Sequence, residues 1–311
     1  MKSIFKNQEE GRLRAGWRIL IFILLFWCFS LAIFAIKPLL GDMTKREFLS
    51  DYSLVIVLVL ALAASIAVPI ARKFLDKKTF KSLGLKRIKR SFSDLLFGFF
   101  LSAAMAGAFL LLMVSLGYVE VLDFHFKSLN DIEFSATGYL QLIGVFSLAS
   151  MTLFLLEHIL VGYWEELVFR GYLFQNMTEG MGLVWSILIS CFLYGLIHAA
   201  NPNATLLSTV VIMFFGFLRI YGYLLTKMLW LSMGMHIGWN FFQGPIFGFA
   251  ASGHKKATFL ELNILQPEWI SGGTFGPEGS IFIIPILVVA LIIMKAWGNQ
   301  SRRAYENHYL D

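Results

Sequence analysis

The feature that most constrains this chain is a series of apolar runs, most of them close to the ~20 residues that an α-helix needs to cross a bilayer. Eight runs follow one another, at 19–36, 54–71, 95–116, 139–177, 183–200, 201–225, 229–250 and 281–297. Within a bilayer the backbone must satisfy its own hydrogen bonds, and runs of this length do so as helices. The sequence therefore predicts an all-α, polytopic bundle of about eight transmembrane helices.

Composition agrees with a membrane protein. Of the 311 residues, 58% are hydrophobic and 15% are charged, whereas a soluble domain carries about 25% charge. The net charge of +6 does not indicate a nucleic-acid partner, because the basic residues lie between the apolar runs. Cys28 and Cys191 each lie within an apolar run and form no disulfide or zinc pattern. No small-residue cleavage site follows the first run, which predicts an uncleaved first helix.

The distribution of charge predicts the orientation of the bundle. Nine Lys and Arg residues lie between 72 and 90, where Asp76 is the only acid, and both ends of the chain are basic. The positive-inside rule places these three segments in the cytoplasm, and it places the 117–138 and 251–280 connections outside. We divide the chain into 1–138, with three helices and the basic loop, 139–250 as a catalytic core, and 251–311 as an outer loop, last helix and tail.

One stretch within the fourth run is unusually charged: Tyr163-Trp164-Glu165-Glu166-Leu167-Val168-Phe169-Arg170. A charge at the bilayer centre costs roughly 2.5–3.5 kcal/mol, so such residues usually have a function. On a helix Glu166 and Arg170 share a face as an i, i+4 pair, whereas Glu165 lies about 100° away. We predict that Glu166 and Arg170 form a structural ion pair and that Glu165 is free for chemistry. The 139–177 run is too long for one crossing, so it is tilted, broken near Gly162, or extended beyond the bilayer.

Three further polar side chains lie in later runs. His198 lies in the fifth, and His236 and Asn240 share a helix face in the seventh. Counting residues from the turns lets Glu165 and His198 meet, but leaves His236 about 10 Å from their depth, a mismatch that helix tilt or a fourth helix projecting past the membrane could absorb. Asn201 and Pro202 are predicted as N-cap and first residue of the sixth helix. Glu157 and His158, which precede the charged stretch, are further candidates for the site.

These motifs together resemble the CAAX-protease and bacteriocin-processing (CPBP, or Abi) family of intramembrane endopeptidases, which is related to the type II CAAX prenyl endopeptidases. The resemblance covers 139–244 and includes Glu-Glu-x3-Arg, an aromatic-x3-His and His-x3-Asn in this order. Segments 16–18 and 271–280 also resemble bacterial members, which implies a bacterial plasma membrane. The family's second motif usually begins with Phe, where this chain has Tyr194.

The resemblance implies a role for each residue. Glu165 and His198 would activate a water, His236 and Asn240 would stabilise the oxyanion, and Glu166 with Arg170 would support them. A desolvated carboxylate suits a general base, and preorganised donors facing an oxyanion accelerate acyl transfer. The expected substrate is a membrane-associated peptide or protein.

Two questions stay open at this point. Glu165, His198 and His236 are a ligand set that zinc accepts, but the His-Glu-x-x-His signature is absent and the mechanism needs no metal. We therefore expect no cofactor, with zinc as the alternative. The competing functions are a catalytically silent binding, immunity or scaffold protein of the same family, and a transporter. No inverted repeat supports a transporter.

Overall fold

A computed structural model describes residues 4–7, 10–33, 53–126 and 147–307 of this chain. The helices of this part are α1 (Ala15–Ser30), α2 (Ser53–Phe74), α3 (Lys89–Ser115), α4 (Leu148–Glu165), α5 (Phe174–Met181), α6 (Leu183–His198), α7 (Leu206–Thr226), α8 (Trp230–Phe241), α9 (Glu268–Ser271) and α10 (Ile283–Asn307). π-Helical segments, Glu166–Leu173 and Phe242–Ile246, follow α4 and α8. The prediction of a helical membrane protein is confirmed.

Four of the described helices are long and apolar enough to cross a membrane: Ser53–Phe74, Lys89–Ser115, Leu206–Thr226 and Ile283–Ser301. Ala15–Ser30 and Leu183–His198 are apolar but shorter. The first helix begins and ends earlier than the predicted run 19–36, whose last residues lie outside the described part. The count of eight spans and the cytoplasmic position of both ends therefore stay predictions.

Helix α8 lies at the centre of the bundle, and its residues from Leu231 to Trp239 are all buried. A helix that is apolar on every side packs against neighbours all round. One core cluster joins α8 to α3, α7 and α10, and another joins it to α1, α2 and the π-helical segment after α4. His236 is consequently held inside the protein at a defined depth.

Small residues bring α3 and α8 into backbone contact. A Cβ atom on Gly234 would lie 2.0 Å from the carbonyl oxygen of Leu95, and one on Gly238 would lie 2.4 Å from that of Phe99. Small residues at crossings of membrane helices allow this close approach. Ser102 then donates its hydroxyl to the carbonyl of Met235 at 2.8 Å. These contacts fix α8 immediately beside His236.

The described part of the long fourth run, from residue 147 onwards, forms one uninterrupted helical stretch. Ser147 caps α4 and accepts a hydrogen bond from the backbone N–H of Ser150. The chain stays helical through the π-helical segment Glu166–Leu173 and α5. Of the three alternatives, a break near Gly162 is wrong, because α4 continues through this residue to Glu165.

The predicted start of the sixth helix is wrong. Thr205, not Asn201, caps α7: its side chain accepts from the N–H of Ser208, and the Ser208 side chain accepts from the N–H of Thr205. This reciprocal capping box satisfies backbone N–H groups at Thr205 and Ser208, so the helix starts there and not at the predicted position 201. Asn201 instead donates its side-chain amide to the carbonyl of Ser252 at 3.0 Å, so it fastens the connection after α8 to the end of α6.

Short antiparallel ribbons occur in the connections. β1 (Lys6–Asn7) pairs with β2 (Arg12–Leu13), and β3 (Val119–Phe124) pairs with β4 (Leu260–Ile264). The second ribbon joins the two segments that the positive-inside rule places outside. Its formation shows that these segments meet at one end of the bundle.

The opposite end is closed by a network of charged side chains. Asp76, which is fully buried, accepts from Arg18 and Arg72 at 2.9 Å each. Glu179 at the end of α5 is within 2.9 Å of Arg12 and 3.0 Å of Arg18, and it also pairs with Lys78. Basic residues that we interpreted from the sequence as orientation signals therefore also connect the β1–β2 ribbon, α1, α2 and α5 through ion pairs.

Candidate active site

Adjacent glutamates at the junction of α4 and the π-helical segment differ sharply in environment. Glu165 ends α4 and Glu166 begins the π-helical segment. The side chain of Glu165 is 14% exposed and that of Glu166 is fully buried. π-Helical turns inside α-helices are frequent at functional sites. Glu165 is thus the glutamate that water can reach.

The carboxylate of Glu166 is held by groups from several helices. Its Oε1 atom accepts from Arg170 Nη1 at 3.1 Å and from His236 Nδ1 at 2.9 Å. Arg219 Nε lies 3.9 Å from the same oxygen. Because an ionised carboxylate only accepts hydrogen bonds, Nδ1 of His236 carries the proton in this contact. Glu166 therefore sets the tautomer and orientation of the His236 ring.

Glu165 has different partners. Its Oε2 atom accepts the hydroxyl of Tyr194 at 3.0 Å and lies 3.8 Å from Nε2 of His236. The hydroxyl oxygen of Tyr194 in turn accepts from Arg219 Nη1 at 2.6 Å. Arg219 is therefore linked to Glu165 through a single hydroxyl, and this chain of hydrogen bonds fixes one carboxylate oxygen.

Arg219 and the hydroxyl of Tyr194 were not found by reasoning on the sequence. Arg219 is 3% exposed and lies in the middle of α7. The sequence did carry a signal for it, since it is an isolated cation within an apolar run of spanning length. Tyr194 was noted only as a departure from the family's usual Phe, yet its hydroxyl joins Arg219 to Glu165. Its ring also lies under the Arg170 guanidinium, 4.3 Å from Cζ.

His198 stands beside Tyr194. Its Nδ1 atom lies 2.8 Å from the carbonyl oxygen of Tyr194, and the two rings are 4.5 Å apart. A carbonyl only accepts, so Nδ1 donates, and Nε2 of the neutral ring is left as an acceptor. Within the described part of the chain, His198 makes no direct hydrogen bond or ion pair with Glu165 or Glu166.

Asn240 lies one turn after His236 on α8 and is half-buried. The structure thus brings Glu165, Glu166, Arg170 and His236 into one cluster. It places His198 next to that cluster through Tyr194. Asn240 follows on the face of α8 that carries His236, and its side chain makes no hydrogen bond with the described residues.

The depth mismatch expected for His236 does not occur. The backbone N–H of Leu229 donates to the carbonyl of Gly84 at 2.9 Å, so α8 begins against the segment that follows α2. Helix α4 and its continuation run on for a further 16 residues beyond Glu165, to Met181. Counting from the turn therefore misplaced the glutamates relative to α8, because the fourth helical stretch and α8 begin and end at different depths.

The residues do not fit a three-ligand metal site in this arrangement. Across residues 4–7, 10–33, 53–126 and 147–307, no three His, Cys, Asp or Glu side chains are grouped so that they could hold a metal ion. Of the three residues considered for zinc, the contacts of the described residues bring together only Glu165 and His236, whose Oε2 and Nε2 atoms lie 3.8 Å apart. We derive no step through a metal from this geometry.

Comparison with known families identifies one segment of the chain. Residues 147–242 match the family model described as Rce1-like, type II CAAX prenyl endopeptidase. No curated protein and no solved structure matches the chain. The matched segment runs from the N-cap of α4 to just beyond Asn240, so it contains every site residue predicted from the sequence.

Proposed function

We propose that this chain, whose residues 147–242 belong to the Rce1-like family of type II CAAX prenyl endopeptidases, is an intramembrane endopeptidase acting on a membrane-associated peptide or protein. The observation that carries the proposal is the contrast between the two adjacent glutamates. Glu166 is buried and engaged by Arg170 and His236, whereas Glu165 is partly exposed and keeps an oxygen for chemistry.

Glu165 acts as the general base. A water beside it donates one proton to the free carboxylate oxygen and its second hydrogen bond to Nε2 of His198. The oxygen of this water attacks the carbonyl carbon of the scissile peptide bond, and Glu165 carries the abstracted proton. The Arg219–Tyr194 chain holds the other carboxylate oxygen in place, which keeps the base oriented during attack.

His236 and Asn240 act on the oxyanion. The side-chain amide of Asn240 donates directly. Nε2 of His236, 3.8 Å from Glu165, donates in the imidazolium form; this extra proton comes from solvent before the attack and is retained through the reaction, while Nδ1–H remains bonded to Glu166. Collapse of the tetrahedral intermediate breaks the carbon–nitrogen bond, and the proton from Glu165 passes to the leaving nitrogen. No metal takes part in this scheme.

The family name implies a prenylated CAAX substrate, which serves as the first probe. Purified protein in detergent is incubated with a fluorescent, S-farnesylated peptide ending in Cys, two aliphatic residues and Ser, and with its unprenylated twin. Cleavage that is lost in Glu165→Gln supports the proposal. If the wild-type protein binds these peptides without cleaving any bond, the result would instead support the alternative function, a catalytically silent binding, immunity or scaffold protein of the same family. For location we propose a bacterial plasma membrane.

A further inference from the structure

His158 is a buried histidine that the proposed mechanism does not use. It is 7% exposed, and neither of its ring nitrogens has a hydrogen-bond partner among the described residues. A neutral imidazole has one donor and one acceptor, and leaving such groups unsatisfied in a protein interior is costly. The ring is therefore poised for a ligand that offers both an acceptor and a donor.

Its position connects it to the active site. His158, Gly162 and Glu165 recur at i, i+4 and i+7, so they share a face of α4. That face meets α8, because a Cβ on Gly162 would lie 2.6 Å from Cγ1 of Ile237, the residue after His236. Seven residues of helix separate His158 from Glu165 by about 10 Å.

The connection after α8 lies against this part of α4, because Lys256 of that connection pairs with Glu157 and its Nζ atom lies 5.5 Å from the ring centroid of Phe154. Lys256 is within electrostatic reach of the His158 ring and is fixed to α4 by its ion pair with Glu157. The Lys256 ammonium also donates to the hydroxyl of Ser53 at 3.0 Å. Glu157 neutralises the charge of Lys256 in this ion pair, so a ligand at His158 needs no net charge. A neutral polar group that both donates and accepts fits best.

We propose that His158 is a substrate-binding residue that hydrogen-bonds main-chain peptide groups of the bound peptide, which rests on and deepens the proposed function. One ring nitrogen donates to a main-chain carbonyl, and the other accepts a main-chain N–H. An extended chain advances about 3.3 Å per residue, so the separation from Glu165 places these groups at least about three residues from the scissile bond. The direct line between His158 and Glu165 is closed where Gly162 packs against Ile237 of α8, so the peptide passes beside this contact on its way towards Lys256.

The test measures peptide binding to the non-cleaving Glu165→Gln protein, with the farnesylated peptide as probe. A series of peptides replaces each amide in turn by an N-methyl amide, which removes one donor. In the His158-containing protein, we expect one position at least about three residues from the scissile bond to weaken binding roughly 3- to 10-fold. The same N-methyl amide should have little effect on binding to the His158→Phe protein. In the His158→Gln protein, whose side-chain amide also donates and accepts, it should again weaken binding, but by a smaller factor than with His158.

The control is His125→Phe, the same replacement at a half-exposed histidine that follows β3 and pairs with Glu261 of β4. It should leave the position dependence unchanged. Equal N-methyl penalties with and without His158 at every position, or no saturable binding of any peptide, would overturn the proposal. Wild-type cleavage is measured separately, so a missing catalytic activity is distinguished from a missing subsite.

Discussion

His236 holds Nδ1 2.9 Å from Oε1 of Glu166, while its Nε2 lies 3.8 Å from Oε2 of Glu165. Adjacent glutamates therefore face opposite nitrogens of one imidazole ring. The sequence predicts a structural ion pair between Glu166 and Arg170. Glu166 has a second role in the structure, because it also orients the ring of His236, which we propose as a catalytic residue. In metal-free and metal-dependent enzymes alike, the partner of one histidine nitrogen decides what the other can do.

The first prediction separates the glutamates by replacing each with Gln. Glu165→Gln should abolish cleavage and keep the melting temperature in detergent near that of the wild type, because the site loses its base and keeps its shape. Glu166→Gln should also lose stability, because the buried Arg170 is left without a counter-charge, at a cost of roughly 3–5 kcal/mol. Full activity of Glu165→Gln would refute its role as base.

The second prediction concerns the Arg219–Tyr194–Glu165 chain. Tyr194→Phe removes the hydroxyl that joins Arg219 to Glu165. Hydrogen bonds to charged groups contribute roughly 1.5–3 kcal/mol, so turnover should fall about 10- to 100-fold. The matched control is Tyr163→Phe on α4, whose hydroxyl lies 3.0 Å from that of Ser65 instead. Equal turnover in both variants would show that the hydroxyl of Tyr194 plays no part in orienting the base.

Much of the fold could be predicted from hydropathy, because the apolar runs and the helices that form in them coincide closely, as 54–71 and α2 do. Helix ends were less predictable. The capping box at Thr205 and Ser208 is a reciprocal side-chain arrangement that competes with the Asn-Pro signal at 201, and only the folded backbone decides between them.

The candidate site was predictable only where its residues belong to motifs of short spacing. Glu165, Glu166 and Arg170 fall in one motif, and His236 with Asn240 in another. Arg219 comes from a separate helix with no motif around it. Its contact with Tyr194 depends on how α6 and α7 pack, which local spacing does not encode. The contact between His236 and Glu166 likewise depends on the depth at which α8 starts.

The third prediction addresses the oxyanion donors and the metal. His236→Ala should slow turnover about 100- to 1000-fold, which is typical for loss of an oxyanion donor, and Asn240→Ala should cause a similar or smaller loss. Metal content measured by mass spectrometry should be the same for both variants and for wild type, and a strong chelator should leave activity unchanged. Stoichiometric zinc that falls with Glu165, His198 and His236 substitutions, together with activity, would establish a zinc enzyme instead.

The fourth prediction concerns topology. In a background with Cys28 and Cys191 replaced by Ser, single cysteines near Lys78 and Arg303 should be labelled only from the cytoplasm. A cysteine near Asp131, which lies outside the described residues, should be labelled only from the opposite side. The basic 72–90 segment and the acidic 117–138 segment motivate this assignment. Labelling of Lys78 and Asp131 positions from one side would overturn the eight-span arrangement.

The fifth prediction concerns the charged network at the end of α5. Burial alone would raise the pKa of Glu179, but hydrogen bonds from Lys78 and Arg18 and the charge of Arg12 outweigh burial and lower its pKa to about 2. The folded pKa is below the unfolded value, so the stabilisation is complete above the unfolded pKa of 4.5 and is lost as pH falls towards 2.

At about 1.4 kcal/mol per pKa unit, the shift of the Glu179 pKa from 4.5 to about 2 corresponds to at most about 3.5 kcal/mol, and solvent screening of this partly exposed side chain lowers its contribution to stability. The free energy of unfolding in detergent should therefore fall between pH 4.5 and pH 2.5 more steeply in wild type than in Glu179→Gln. Glu261→Gln, at a half-exposed glutamate of β4, is the control and should keep the steep wild-type dependence of the free energy of unfolding on pH. Parallel curves for wild type and Glu179→Gln would show that Lys78, Arg18 and Arg12 do not stabilise the ionised carboxylate.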